Sequence, residues 1–488
     1  MSDVLCLNPG ENRPTVSAFG GMPPLGLCWI AAVLEKKEYS VKILDLDWDN
    51  TCLETVLDAE HPKMVCLGGT THTRFESFNL AKKIKEKDSS IVICYGGPHA
   101  TFTADDTLAH IDDIDIIVKG EGEYTVLDIA EVIIRNRGKL QDVLGISYRD
   151  GANIVHNSPR PPITDLDALP LPARHLLKME YYRPKLEFLN VTSTLVMTSR
   201  GCPVNCSYCS ASAMWGRRYT TRSPQKVADE VEMLIKEYGV EGIEFQDSTI
   251  TLNRAHIEGL CDEFERRKLK FPWLCELRVN TVDKDLLARM QRAGCYYIWF
   301  GLESASSQVL KEMKKSITIE QVENVINWAV ELGIYTRVFI TYGHIGETYE
   351  DAMITRKFVE KHKDKITDLG SGVGILIYPG TLVEKYAYEI GCLPSNFSWA
   401  EPYYNKNNEF LMIAPEIPVL IQPQFGYQEL YELRNKEVRG KIWNVGEILK
   451  RMQTKEGRKG LQSIAKGMVK HTVSSTLKRL GINTVGKG

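Results

Sequence analysis

Ser199-Arg200-Gly201-Cys202-Pro203-Val204-Asn205-Cys206-Ser207-Tyr208-Cys209 places three cysteines at C-x3-C-x2-C. The run follows a strand-like stretch at 193–198, so the cysteines fall on the loop directly after a strand. A loop with this spacing can carry thiolates to three irons of a cubane cluster. A tetrahedral zinc site normally takes four protein ligands, and no fourth cysteine or histidine lies near. Three ligands leave one iron with an open position. Cys202, Cys206 and Cys209 are therefore the candidate metal-binding and catalytic residues.

Working outward, strand-like runs recur at 193–198, 241–246, 273–278, 296–301, 335–341 and 370–377, with helical patterns between them. Six strand–helix units over 191–390 predict a partial (β/α)6 barrel, whose chemistry sits on the loops after the strands. Residues 1–145 alternate in the same way. Strands are predicted at 3–8, 41–46, 63–68, 90–95 and 114–118, and helices at 25–38, 51–60, 75–87, 101–110 and 123–136. This predicts a doubly wound, Rossmann-like parallel sheet, with ligands bound beyond the carboxyl ends of its strands. Pro23-Pro24-Leu25-Gly26, Gly68-Gly69, Gly96-Gly97-Pro98-His99 and Gly120-Glu121-Gly122-Glu123 fall there, and glycine lets backbone approach a ligand closely. None of them is a G-x-G-x-x-G fingerprint, so a dinucleotide site is not supported. Residues 146–190 carry Pro159, Pro161, Pro162, Pro170 and Pro172 and read as a proline-rich linker. Residues 391–488 are expected to form a basic and mainly helical C-terminal region.

Bulk properties narrow the class. The chain has 488 residues, 43% hydrophobic and 25% charged, which is ordinary for a globular protein. Its formal net charge of −3 gives no reason to expect nucleic acid as a partner. No apolar run approaches the roughly 20 residues needed to span a bilayer. The N-terminus lacks a basic start followed by an apolar stretch, so the cytoplasm is the expected location. The other nine of the 12 cysteines (Cys6, Cys28, Cys52, Cys66, Cys94, Cys261, Cys275, Cys295 and Cys392) stand singly and read as buried, reduced thiols. At the end of the chain, Leu461, Ile464, Ala465, Met468, Thr472, Thr476 and Leu480 recur at helical spacing, flanked by Lys466, Lys470, Lys478 and Arg479. This basic amphipathic pattern predicts a helix that packs on the barrel or lies peripherally on a membrane or acidic partner.

The cysteine motif resembles that of the radical S-adenosylmethionine (SAM) superfamily. The resemblance implies a [4Fe-4S] cluster whose open iron chelates SAM, and an electron that cleaves SAM to a 5′-deoxyadenosyl radical. It also implies an external donor of that electron, of flavodoxin or ferredoxin type. Tyr208, before the last cysteine, is expected to contact the adenine. Other stretches match in order. Gln246 and Asp247 end the second strand in a variant of the acidic SAM-binding motif, with Asp247 facing the SAM amine. Arg278 ends the third strand, and Glu303 and Ser304 in Gly-Leu-Glu-Ser end the fourth, where relatives line the SAM site. Gly343-His344-Ile345-Gly346-Glu347-Thr348 resembles the adenine-side loop, with His344 where a leucine is frequent, and Tyr378-Pro379-Gly380-Thr381 resembles the loop after the sixth strand. The resemblance covers about residues 190–390.

The first 145 residues resemble the cobalamin-binding domain that precedes the barrel in one large branch, the class B methyltransferases and anaerobic cyclases. Pro24, Leu25, Gly26, Gly96, Gly97, Pro98, His99, Gly120, Glu121, Gly122 and Glu123 are expected to cradle the corrin and its tail. The D-x-H-x-x-G loop that supplies a cobalt ligand elsewhere is absent: residues 45–50 hold no histidine. Thr71 and His72 lie on the loop that faces the lower side of the corrin in relatives. Two cofactors in one chain imply a cobalamin-dependent C-methyltransferase acting on an unactivated carbon of a small molecule, lipid or peptide. The alternative is a cyclase or carbon–carbon bond-forming enzyme with the same domains and no methyl transfer.

Overall fold

The computed structural model describes residues 1–10, 21–411 and 414–441. The first sheet contains β1 (Val4–Asn8), β2 (Val41–Asp45), β3 (Met64–Leu67), β4 (Val92–Gly96), β5 (Ile116–Val118), β6 (Ile146–Asp150) and β7 (Asn153–His156), in the order β2-β1-β3-β4-β5-β6-β7. The first five strands pair in parallel, and β6 and β7 add an antiparallel edge. Parallel strands covered on both faces read as continuous apolar runs. Val4 to Leu7 and Met64 to Leu67 accordingly have every residue buried. Two apolar layers result. Leu5, Leu7, Val65 and Ile93 face one, and Val4, Cys6, Cys66 and Cys94 face the other.

The stretch expected to be linker from residue 146 differs from its sequence reading at its start. Residues 146–156 form a hairpin turned by Gly151-Ala152, and it extends the sheet. The proline-dense remainder holds only short 3-10 turns, such as Leu166–Ala168 and Arg174–Leu176.

The second sheet is all parallel and has six strands. They are β8 (Ser193–Val196), then, after a short ribbon of β9 (Ser199–Arg200) and β10 (Thr220–Thr221), β11 (Gly242–Phe245), β12 (Trp273–Glu276), β13 (Cys295–Glu303), β14 (Tyr335–Tyr342) and β15 (Asp368–Val373), paired in chain order. This is the partial barrel. Helices between the strands begin at side-chain caps that accept a backbone N–H: Ser223, Asn253, Asp283, Thr318 and Thr348. Each cap fixes where a loop ends, and hence where the loop residues at the carboxyl rim sit.

Beyond the barrel lie the helix Lys406–Leu411 and the helix Tyr427–Lys441. A separate compact unit begins at Tyr431, and its described part is the end of that second helix. The amphipathic stripe from Leu461 to Leu480 lies outside the described residues. Among the described residues, no helix is long and apolar enough to cross a membrane. Of the nine single cysteines, Cys6, Cys28, Cys66, Cys94, Cys261, Cys275 and Cys295 are buried, Cys392 is half-buried, and Cys52 is exposed.

Candidate functional site

The three cysteines lie on the loop that follows β9. Gly201 opens it at φ +90°, and a Cβ there would lie 2.2 Å from the Arg218 carbonyl oxygen, so only glycine lets the chain pass under the ribbon. The loop is held from two sides. The Ser207 N–H donates to the Met313 carbonyl (3.0 Å), and the Ser207 carbonyl accepts from Val383 N–H (3.0 Å). Cys206 is buried, and Cys202 and Cys209 are half-buried. Burial pushes the thiols of Cys206 and Cys209 up, while the Lys315 and Arg278 cations beside Cys206 pull its thiol back down. Cations next to thiolates suit a ligand set that must stay deprotonated. The Ser207 hydroxyl, between two of the cysteines, is buried without a hydrogen-bond partner among the described residues. No group of three or more His, Cys, Asp or Glu among the described residues is gathered tightly enough for a single ion. A cubane takes its thiolates on separate irons, so its ligands are spread. The donor set and the cations fit the cluster.

Beside the loop, Tyr208, Glu303, Lys315 and His344 meet in the barrel. Lys315 Nζ donates to Glu303 Oε1 (2.7 Å) and to the Tyr208 hydroxyl (3.0 Å), and the Tyr208 hydroxyl donates to Glu303 Oε1 (3.1 Å). The His344 ring packs edge-on to Tyr208 at 5.3 Å. Burial pushes the Glu303 carboxyl up, and the Lys315 ammonium more than offsets this, so the group sits below the usual carboxylate range. Burial pushes the His344 imidazole down to about 4, which keeps it neutral. Glu303 adopts φ +62° where the pairing of β13 with β14 slips between Gly301 and Glu303. Backbone held in this region is characteristic of residues placed for function. Arg278 completes the group: its Nη2 donates to the Lys315 carbonyl, and its cation lies beside Cys206.

A cavity of about 440 Å³ lies between the carboxyl edge of the first sheet and the first barrel strands. One wall is Leu25, Gly26, Gly68, Gly96, Gly97, Pro98, Gly120, Glu121, Gly122 and Glu123. The facing wall is Leu195, Met197, Arg200, Met214, Trp215 and Gln246. Cβ atoms built on Gly26 or Gly120 would meet nothing within 4 Å, and Gly120 sits at φ +73°. This is a cradle that side chains would fill, and its size falls in the range of ligand pockets. A second cavity, about 470 Å³, runs along edge strand β2 past Lys42, Asp45, Trp48 and Tyr182 and contains none of the glycine loops.

Comparison with known proteins finds a family match for each of the two domains. The model of the radical SAM superfamily matches residues 196–359, and that of the B12 binding domain matches residues 15–130. An uncharacterized methyltransferase of Pyrococcus horikoshii is 32% identical over 79% of this chain and 83% of its own length. The chain belongs to the radical SAM superfamily, in the branch with a B12-binding domain. An anaerobic magnesium-protoporphyrin IX monomethyl ester cyclase of Rubrivivax gelatinosus is 30% identical over 72% of this chain and 65% of its own length. Among solved structures, the radical SAM methyltransferase TsrM from Kitasatospora setae, with cobalamin and a [4Fe-4S] cluster bound, superposes with a TM-score of 0.65. It covers 79% of this chain and 76% of its own at 22% identity, which establishes the shared fold.

Several residues expected at the site of this radical SAM protein are engaged with protein partners or stand off the cavity wall. Asp247 is buried, and its carboxylate accepts from Thr198 N–H (3.1 Å), the Thr198 hydroxyl (3.0 Å) and the Ser199 hydroxyl (2.5 Å). Its oxygens thus brace the strand end that leads into the cluster loop. Ser304 is fully buried and bonds the Thr355 hydroxyl (3.2 Å). Pro24, Thr71, His72 and His99 are not among the described residues that line the cavity. Thr71 and His99 bond each other at 3.2 Å, and burial pushes the His99 imidazole down to about 3. His72 Nε2 lies 2.9 Å from the Tyr378 hydroxyl, and its ring is beside Glu416. Sequence reasoning missed Lys315, Trp29, Met197, Met214 and Trp215. No sequence signal marks them, because each gains its role from a partner distant in the chain.

Proposed function

We propose that this chain is a cobalamin-dependent radical SAM methyltransferase that acts on an unactivated carbon. The observation that carries the reading is the shared cavity, since the glycine loops of the B12-binding domain and the strand leading into the cysteine loop face one space. When bound, the cluster supplies the electron that cleaves SAM, and cobalamin supplies the methyl group. Cys202, Cys206 and Cys209 would hold the cluster. Tyr208, Glu303, Lys315 and Arg278 would hold SAM against it, with Gln246 on the barrel wall of the cavity. Gly26, Gly96, Gly97, Gly120 and Gly122 would let backbone approach the corrin. Trp29, Met197, Met214 and Trp215 would exclude water, which protects a radical step from quenching.

The proposal includes a substrate that is a small molecule, lipid or peptide, a flavodoxin- or ferredoxin-type electron donor, and a peripheral membrane contact through the basic tail. The 30% identical cyclase supports a second reading, ring formation without methyl transfer. Reduced holoenzyme, a metabolite extract and SAM carrying an isotopic label in its methyl group separate the two. Label in a carbon-methylated product is expected. A product that forms with deoxyadenosine release and without label establishes the cyclase reading instead.

A further inference from the structure

Arg200 is two residues ahead of the first cluster cysteine, yet its side chain belongs to the other domain's loop. Its Nη1 donates to Glu121 Oε1 (2.7 Å) and its Nη2 to Glu123 Oε1 (2.5 Å). Both carboxylates stand in the Gly120–Glu123 loop that lines the cavity. The side chains of Arg200 and Glu123 are each 6% exposed and that of Glu121 is 10% exposed, so water does not dissolve the pairing. The guanidinium also lies 5.0 Å from the Trp29 ring and 5.6 Å from the Trp215 ring, one from each domain. Glu121 is fixed from behind, because its Oε2 accepts Ile163 N–H at 2.7 Å. On the barrel side, Arg200 pairs with Thr220 in the ribbon and is followed by Gly201, which closes under Arg218.

We propose that Arg200 is a positioning residue that registers the cluster loop against the corrin-binding loop. It thereby sets cobalamin affinity and the separation of the two metal centres. The inference rests on the reading that cobalamin occupies the cavity. A planar guanidinium with two arms on two different carboxylates fixes distance and angle together. An ammonium is a single point and cannot replace it. Loss of the arginine leaves two buried carboxylates facing each other without a cation, which forces the loop to move. Because Arg200 and Cys202 share one short backbone stretch, the same movement reaches the cluster.

The test uses full-length protein reconstituted anaerobically with iron and sulfide and titrated with hydroxocobalamin. Wild type, Arg200→Lys, Arg200→Gln, Glu123→Gln and the double variant Arg200→Gln/Glu123→Gln are compared. The affinity for hydroxocobalamin is expected to fall by about tenfold or more in each single variant, as when one partner of a buried charge pair is removed. The double variant should bind no more weakly than Arg200→Gln, because it removes a stranded charge. The magnetic interaction between the reduced cluster and Co(II) should weaken in Arg200→Lys, a change that general destabilisation does not produce. Glu123→Gln lies outside the cluster loop and carries the test even where an Arg200 variant fails to hold iron. Wild-type affinity and an unchanged magnetic interaction in Glu123→Gln and Arg200→Lys overturn the inference alone. Failure of the wild type to bind hydroxocobalamin overturns both the inference and the reading beneath it.

Discussion

Glu347 closes the loop after β14 by accepting Gly343 N–H (2.6 Å) and His344 N–H (2.9 Å), and burial pushes its carboxyl up to about 8. A carboxyl raised on folding holds its proton to higher pH in the folded state than in the unfolded one. Its contribution is therefore present below the ordinary carboxylate range and is lost as pH rises from about 4.5 toward 8. Glu347→Gln keeps an acceptor for both N–H groups and removes the titration. In urea unfolding, the stability gained by Glu347→Gln over wild type should grow between pH 5 and pH 8.5. The growth is a few kcal/mol at most, since each tenfold change in proton affinity is worth about 1.4 kcal/mol. A difference that is flat with pH contradicts this. At the same scale, His72 is engaged with Tyr378 and Glu416, and residues 45–50 hold no histidine. The Co(II) form of bound cobalamin should therefore show no nitrogen splitting from the protein in electron paramagnetic resonance. A splitting that His72→Ala abolishes would identify His72 as a ligand against this expectation.

Among the elements, every β-strand expected in the two parallel sheets is present, because buried parallel strands announce themselves as apolar, β-branched runs. The hairpin at 146–156 was hidden by its neighbours. Gly151, first of the two turn residues, is a hairpin signal, but the flanking strands are only half-buried and Pro159, Pro161 and Pro162 follow closely. The helix expected at 101–110 is two, Pro98–Phe102 and Ala104–His110. Pro98 starts the first one early, and Thr103 interrupts the run while its hydroxyl donates to the His99 carbonyl (3.0 Å). The ribbon β9–β10 was not legible, being two residues a side, yet it aims the cysteine loop. Gly201→Ala should disrupt it through φ strain of roughly 1–3 kcal/mol together with contact against the Arg218 carbonyl. The expected result is a folded protein with normal far-ultraviolet circular dichroism that reconstitutes much less than the wild-type iron. Full iron incorporation contradicts the role given to the ribbon.

For the whole molecule, the sequence located one side of the central cavity well and the other poorly. Gly26, Gly96, Gly97, Gly120 and Gly122 stand at strand ends and helix starts, where a parallel sheet presents ligands, so local pattern was enough. Met197, Met214 and Trp215 form the facing wall only because the barrel closes over the first domain, and nothing near them in the chain encodes that. Lys315 is similar: a lysine after a short helix reads as surface, and only the fold brings it to Glu303 and Tyr208. The central claim is that the cradle of one domain holds cobalamin opposite the cluster of the other. Gly26→Leu tests it most directly. Gly26 is the second residue of the helix Leu25–Glu35 and lines the cavity; leucine is a good helix former, and a Cβ built there meets nothing within 4 Å. Wild type and variant are reconstituted with iron, sulfide and hydroxocobalamin, desalted, and assayed for metal and corrin per chain. The account predicts equal iron in both, an unfolding temperature in the variant no lower than wild type, and cobalamin retained by the wild type alone. Equal cobalamin in Gly26→Leu would contradict it.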